Sequence, residues 1–365
     1  MDNGSAKDLE PRRMKMIRWK GWLLTSLAAS LLMLGTRGVI GQQPDTPATD
    51  DPIPVFHASS ELVLVDVAVE DKRTGLPVVG LEASDFQIAE DGTPEPITFV
   101  GQDRFPLSVV FLFDLTETVH PVLQKLAQGA SLILGHLKRQ DEVSVMVFSS
   151  HTELVQGFTT RRVSTEAAID QAAQRTTKEG TFIDEDMYEA VDQALKSSAP
   201  QGRRVLVWLT DGTANDENSF TQATIGKEAP ARLHSKKEAA DKLLHSGVAV
   251  SAMIERSDLT DSLVAAAQRH PGEVVGGARV GDIASYADLT GGPVVYSAGK
   301  SATGQLAQLL DELRGRYTLG YKPAASAAEG KFCSLRVTLT PEAYRKHPEW
   351  KKGEVVVRAE SGYYR

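Results

Sequence analysis

Residues 108–123 read SVVFLFDLTETVHPVL, and the interpretation of this stretch decides the fold. Ser108–Phe113 is nearly all apolar and short, which predicts a strand buried on both faces. It runs straight into a carboxylate, Asp114, followed by hydroxyls at every second position, Thr116 and Thr118. Pro121 suits a first helical turn. Beyond it, Leu123, Leu126, Ala127, Ala130, Ile133 and Leu134 recur at helical spacing. The stretch therefore predicts a strand, a polar loop and one continuous helix.

The same alternation continues outward. EVSVMVFS (142–149) and TELVQGFT (152–159) read as strands with a connection short enough for a hairpin. Helices are predicted at about 164–175 and 185–196, and RVLVWLT (204–210) is a fourth strand that ends at Asp211. A helix near 229–245 leads to GVAVSAMIE (247–255). Helices near 258–270 and 281–288 lead to GPVVYS (292–297), and a last helix covers about 303–315. Strands alternating with helices predict an α/β domain over 106–315. Its sheet is expected to be doubly wound, Rossmann-like and mostly parallel, with six strands in the order 3-2-1-4-5-6.

The flanks are β-rich. Residues 59–105 predict an N-terminal β unit, in which DFQIAEDGTPEPITFVG reads as two strands joined at Asp91–Gly92. Residues 316–365 predict a C-terminal β segment from RYTLGYKP, KFCSLRVTLT and GEVVVRAESGYY. Fewer than 50 residues build a core of their own with difficulty. The two flanks are expected either to pack on each other or to pack separately on the central domain.

At the N-terminus, Arg12, Arg13, Lys15, Arg18 and Lys20 precede the apolar run GWLLTSLAASLLMLG. That is the pattern of a secretory signal peptide over residues 1–41, with Val39 and Gly41 suited to a cleavage site, and an uncleaved N-terminal anchor is the alternative. The run is shorter than the ~20 residues of a spanning helix. Pro-, Asp- and Thr-rich residues 42–58 read as a linker. The chain is thus expected to be exported: periplasmic, secreted or associated with the cell envelope. Removing residues 1–41 takes away seven Lys/Arg and three Asp/Glu, leaving 33 basic and 45 acidic residues and a net charge of −12. Such a surface repels phosphate backbones, which argues against a nucleic-acid partner. The single Cys333 excludes an intramolecular disulfide framework.

In doubly wound sheets, ligands bind outside the carboxyl ends of the strands where strand order reverses. Here that point lies between the strand ending in Asp114 and the strand ending in Asp211. The loop KEGTFIDED places Gly180 and Thr181 between them in sequence. Two carboxylates with hydroxyls are an oxygen-only donor set, which suits Mg²⁺ and other hard divalent cations. No Cys or His lies in these motifs, so zinc is not indicated.

DLTET, a Gly-Thr in the middle loop and a terminal TDG together resemble the metal-ion-dependent adhesion site of von Willebrand factor A domains. With their flanks, residues 59–365 look like bacterial VWFA-related proteins of the acidobacterial type. The usual site begins Asp-x-Ser-x-Ser; here it reads Asp114-x-Thr116-x-Thr118, which keeps the oxygens and adds methyl groups. The resemblance implies that Thr116 and Thr118 coordinate Mg²⁺ (or Mn²⁺/Ca²⁺) directly, and that Asp114, Thr181 and Asp211 hold it directly or through water. It also implies that an acidic residue of a protein partner completes the coordination, in a protein that is not an enzyme. Taken singly, Asp114 and Asp211 also suit helix N-caps, and Thr181 a turn.

Other signals weigh less. Glu117 falls between the two threonines, and alternation turns it away from them. Asp211, Asp216 and Glu217 cluster in DGTANDENSF without the spacing of an EF-hand. GGPVVYSAGKS has the wrong spacing for a phosphate loop, and neither HExxH nor GxSxG occurs. FLFDLTET also resembles haloacid dehalogenase phosphatases, but Thr116 stands where their second Asp acts as acid and base. That enzyme class is the alternative reading, and a structural envelope module with a vestigial metal site is another.

Overall fold

The structure, a computed structural model, describes residues 62–199, 202–215, 233–256, 261–262, 265, 278–297, 301–323, 329–350 and 353–365. The signal segment 1–41, the linker 42–58, most of the helix expected near 258–270, and Asp216 and Glu217 lie outside these residues.

The N-terminal flank supplies five strands: β1 (Val63–Asp71), β2 (Leu76–Pro77), β3 (Phe86–Glu90), β4 (Thr93–Glu95) and β5 (Ile97–Gln102). After the turn at Asp91 and Gly92, the single strand expected from sequence is broken at Pro96. β4 stays beside β3, whereas β5 crosses to another sheet. Proline has no N–H to carry a ladder onward, so the chain changes sheet there.

The central domain follows: β6 (Leu107–Asp114), α1 (His120–Gln128), α2 (Ala130–Gly135), β7 (Glu142–Phe148), β8 (Thr152–Thr159), α3 (Arg162–Ala173), α4 (Ile183–Leu195), β9 (Arg203–Thr210) and β10 (Thr213–Asn215). It continues with α5 (Lys236–Ser246), β11 (Ala249–Glu255), β12 (Ala278–Val280), α6 (Ile283–Thr290), β13 (Val294–Ser297) and α7 (Ala302–Arg314). Six strands form one sheet in the order β13-β11-β9-β6-β7-β8, all parallel except the β7–β8 hairpin. This is the expected doubly wound order, with the reversal between β6 and β9.

Every residue of β6 is buried because helices cover both faces of the sheet. Val109, Phe111 and Phe113 pack with α1, α2, α3 and α7. Val110 and Leu112 point the other way, to α4, α5 and α6. The expected continuous first helix is interrupted at Gly129. A Cβ there would lie 2.3 Å from the Thr303 methyl of α7, so the close approach of the two elements admits only glycine.

The chain then returns to β structure: β14 (Tyr317–Tyr321), β15 (Phe332–Leu339), α8 (Pro341–Lys346), β16 (Val355–Ala359) and β17 (Gly362–Tyr364). One sheet runs β16-β1-β14-β5, and the other runs β17-β15-β3-β4. Each draws strands from both flanks, with β1 antiparallel to β14 and β16 and β3 antiparallel to β15. Val65, Val67, Ile88, Leu319, Tyr321 and Val337 fill the space between the sheets.

A charged junction ties the flanks to the amino edge of the central sheet. Asp66 of β1 receives Arg203, at the start of β9, at 2.9 Å and Arg316 at 2.8 Å. The fully buried Arg316 also donates to the Gly291 carbonyl at 2.8 Å. Gly291 has φ +67°, and a Cβ there would meet the Ala359 backbone at 2.5 Å, so only glycine fits. The opposite, carboxyl edge of the sheet carries Asp114 and Asp211.

Candidate functional site

β6 and β9 are neighbours in parallel register, with Phe113 opposite Leu209. Their carboxyl ends therefore release Asp114 and Asp211 side by side. Asp114 is fully buried and Asp211 nearly so, whereas Thr116 is half-buried and Thr118 exposed. The carboxylates form the floor of the site and the hydroxyls form its mouth.

Hydrogen bonds connect all five residues singled out from sequence. The Thr116 N–H donates to Asp114 Oδ1 at 2.8 Å, and Thr210 Oγ1 donates to Asp114 Oδ2 at 2.9 Å. The Thr116 and Thr118 hydroxyls lie 3.2 Å apart, and Thr118 Oγ1 donates to Asp211 Oδ2. The Thr213 N–H and hydroxyl hold Asp211 Oδ1 at 2.8 and 2.7 Å. Thr181 Oγ1 donates to the Thr213 carbonyl at 2.8 Å, so it joins the group one residue removed from Asp211. Glu117 points outward, 62% exposed, and pairs with Lys178 at 3.8 Å.

The local chain path explains this arrangement. The Leu115 N–H donates to Phe148 O, and the Thr177 N–H donates to Leu115 O, which pins the loop after β6 between its neighbours. The Val119 and His120 N–H groups then turn back to the Thr116 carbonyl and start α1. On the far side, Gly281 donates to the Gly212 carbonyl at 2.7 Å, beside the short β10–β12 ladder.

The electrostatics are those of carboxyl groups gathered in a buried place. Burial first, and the Asp211 charge second, push the Asp114 carboxyl up to about 7. Hydrogen bonds from Thr116 and Thr210 offset this only in part. Asp186 of α4 is also fully buried, and its carboxyl is held well above the usual range by burial and then by Asp114. A divalent ion would relieve this accumulation of negative charge, and the donors are all oxygen, as a hard cation requires. Among the described residues, no three carboxylate, imidazole or thiolate groups are grouped to hold a metal by themselves. The hydroxyls would have to contribute.

Residues 108–265 match the family model of the von Willebrand factor type A domain. The central domain is a von Willebrand factor type A domain. Such domains are in general protein-interaction modules that bind a divalent metal at a metal-ion-dependent adhesion site, and they are usually not enzymes. No curated protein matches the chain.

Several solved structures are similar. BatB from Bacteroides thetaiotaomicron is 17% identical, over 57% of this chain and 98% of its own, with a TM-score of 0.38. Proximal thread matrix protein 1 from the mussel byssus, in a form with a zinc-occupied adhesion motif, is 12% identical over 57% of this chain and 48% of its own, with a TM-score of 0.41. A von Willebrand factor type A protein from Catenulispora acidiphila is 10% identical over 85% of this chain and 75% of its own, with a TM-score of 0.40.

Three residues associated with the two carboxylates are not singled out from sequence. Thr210 and Thr213 flank Asp211 and fix both carboxylates, but their partners depend on side-chain direction at a turn. Asp186 did leave a signal. It lies three residues after Ile183 and four before Ala190, within the apolar stripe of α4.

Proposed function

We propose that this is an exported, non-enzymatic protein whose A domain binds a protein partner through a divalent cation. Asp114, Thr116, Thr118, Thr181 and Asp211 would hold the ion, directly or through water, and Mg²⁺ or Mn²⁺ suits the donor set. The ion would supply a positive centre at the carboxyl edge for an acidic residue of the partner. The residues themselves have distinct tasks. Asp114 and Asp211 provide charge from a buried floor, Thr210 and Thr213 fix those carboxylates, and Thr116 and Thr118 present oxygens at the mouth. Attraction across a partly dry interface is stronger than in water, so partner binding would require the metal.

One observation carries this reading. Two buried carboxylates from neighbouring strands stand close enough for Asp211 to raise the Asp114 carboxyl. Helix caps would have no reason to gather there. The test is calorimetric titration of metal-stripped protein with Mg²⁺, Mn²⁺ and Ca²⁺, followed by capture of acidic protein ligands with and without chelator. Saturable cation uptake that Asp114→Asn abolishes is the expected result. Absence of heat for all three ions at millimolar concentration would refute the reading.

A further inference from the structure

α4 begins two residues after Thr181 and packs against β6 and β9, the strands that lead into Asp114 and Asp211. Its sheet-facing stripe holds Ile183, Met187, Ala190, Val191 and Ala194. Asp186 falls within that stripe and has no exposed surface. Its backbone N–H makes an ordinary helical bond to Phe182 O. Both of its carboxylate oxygens, however, are buried with no hydrogen-bond partner among the described residues.

Its acidic neighbours in the same turn are satisfied. Asp184 accepts from the Tyr286 hydroxyl at 2.7 Å, and Glu185 receives His234 at 2.8 Å. An acidic residue in a first turn complements the helix dipole, but an exposed position suffices for that. A carboxylate buried without a partner is costly unless it is paired or placed in the field of a cation. No lysine or arginine among the described residues pairs with it, and the charge that acts on it most is that of Asp114.

We propose that Asp186 is an outer carboxylate of the cation site: from the first turn of α4, which packs against β6 and β9, it strengthens the hold on a divalent ion without touching it. The inference rests on the cation reading given above and adds a residue to it. Asp186 is thus a positioning and charge-supplying residue, acting through Asp114 or a bridging water. Direct ligation by three carboxylates is not indicated, since no such group stands together among the described residues. The added negative charge should favour a divalent ion while contributing no stability to the metal-free fold.

The experiment titrates Mn²⁺ and Mg²⁺ into the metal-stripped full chain and measures thermal unfolding of the same samples in chelator. Asp186→Asn should raise the cation Kd by roughly 10–100-fold, the usual effect of losing an outer-sphere partner. Its metal-free melting temperature should stay level or rise, because the amide carries no charge to bury. Asp186→Ala, which extends the apolar stripe, should give the same pair of changes and guards against an amide that packs badly. Glu117→Gln, at an exposed carboxylate on the same loop as Thr116, should leave the Kd unchanged. A purely structural Asp186 would show the opposite pattern, with lower metal-free stability and unchanged affinity, and that result overturns the proposal. If the wild type takes up no cation, the reading of the whole site fails. If it does and Asp114→Asn does not, but both Asp186 variants bind within about twofold of wild type, this inference alone fails.

Discussion

Replacing Asp114 by Asn should make the metal-free protein more stable and insensitive to cations. The Asp114 carboxyl is pushed from 3.8 to about 7 by burial and by Asp211. At about 1.4 kcal/mol per unit, ionising it in the folded state costs on the order of 4 kcal/mol relative to the unfolded chain. The sign follows from the direction. A raised carboxyl contributes stability that is fully present below the unfolded value and is lost as pH rises through 7. Metal-free wild type should therefore weaken between pH 5 and pH 8, whereas Asp114→Asn should change little. The amide keeps an oxygen for the Thr116 N–H, which lies 2.8 Å from Asp114 Oδ1, although its NH₂ is a poorer match for the Thr210 hydroxyl. A net gain of about 1–3 kcal/mol at pH 8 is the expected balance after that loss. Cation reverses the order. A hundredfold excess over Kd stabilises wild type by about 2.7 kcal/mol and leaves the variant unchanged. Urea unfolding at pH 5 and pH 8, in chelator and in millimolar Mn²⁺, gives all four quantities. If the variant is the less stable protein in chelator at pH 8 and wild type ignores the cation, the carboxylates serve as hydrogen-bond anchors and the argument is wrong.

Other outcomes follow from the same geometry. Cation affinity should fall about tenfold per pH unit below 7, because the Asp114 proton must leave before the ion enters; titrations at pH 5.5, 6.5 and 7.5 measure this. Thr118→Ala removes the hydroxyl that bridges to Asp211 and should weaken cation binding, whereas Glu117→Ala, on a side chain 62% exposed, should not; calorimetry separates the two. Arg316→Ala leaves Asp66 with Arg203 alone and the Gly291 carbonyl without its donor, and should destabilise the fold by about 3 kcal/mol in urea while cation affinity is retained.

Much of this molecule was legible in sequence because its central sheet is buried on both faces. A strand such as β6, with an unbroken apolar run, has few other places to lie, and the right-handed crossover rule then restricts the strand order. The reversal between β6 and β9 follows, and with it the nearness of Asp114 and Asp211. Less was legible where a contact joins distant parts of the chain. The need for glycine at position 129 comes from Thr303, which no local pattern around residue 129 contains. The two prolines around Glu95 warned of an irregular strand, but that β5 would join β14 in a different sheet is a tertiary fact. Asp186 stood in an apolar stripe in plain sight. Helices often carry a carboxylate in the first turn, and only the burial of both its oxygens separates this one from Asp184.

The two edges of the central sheet have been given different work, and the chemistry of each explains why they can be separated. At the amino edge, Asp66, Arg203 and Arg316 form a paired network whose charges offset one another inside the structure. At the carboxyl edge, Asp114 and Asp186 are buried carboxyl groups for which the described residues provide no cationic partner and whose ionisation burial opposes, beside an Asp211 held by hydroxyl and amide donors. A paired network stabilises its own surroundings and gains nothing from a further ion. An unbalanced one gains from whatever positive charge arrives, and that gain can be read as affinity. The strands reach the flanking sheets from the amino edge, so the carboxyl edge is where the proposed ion and its partner would meet the domain.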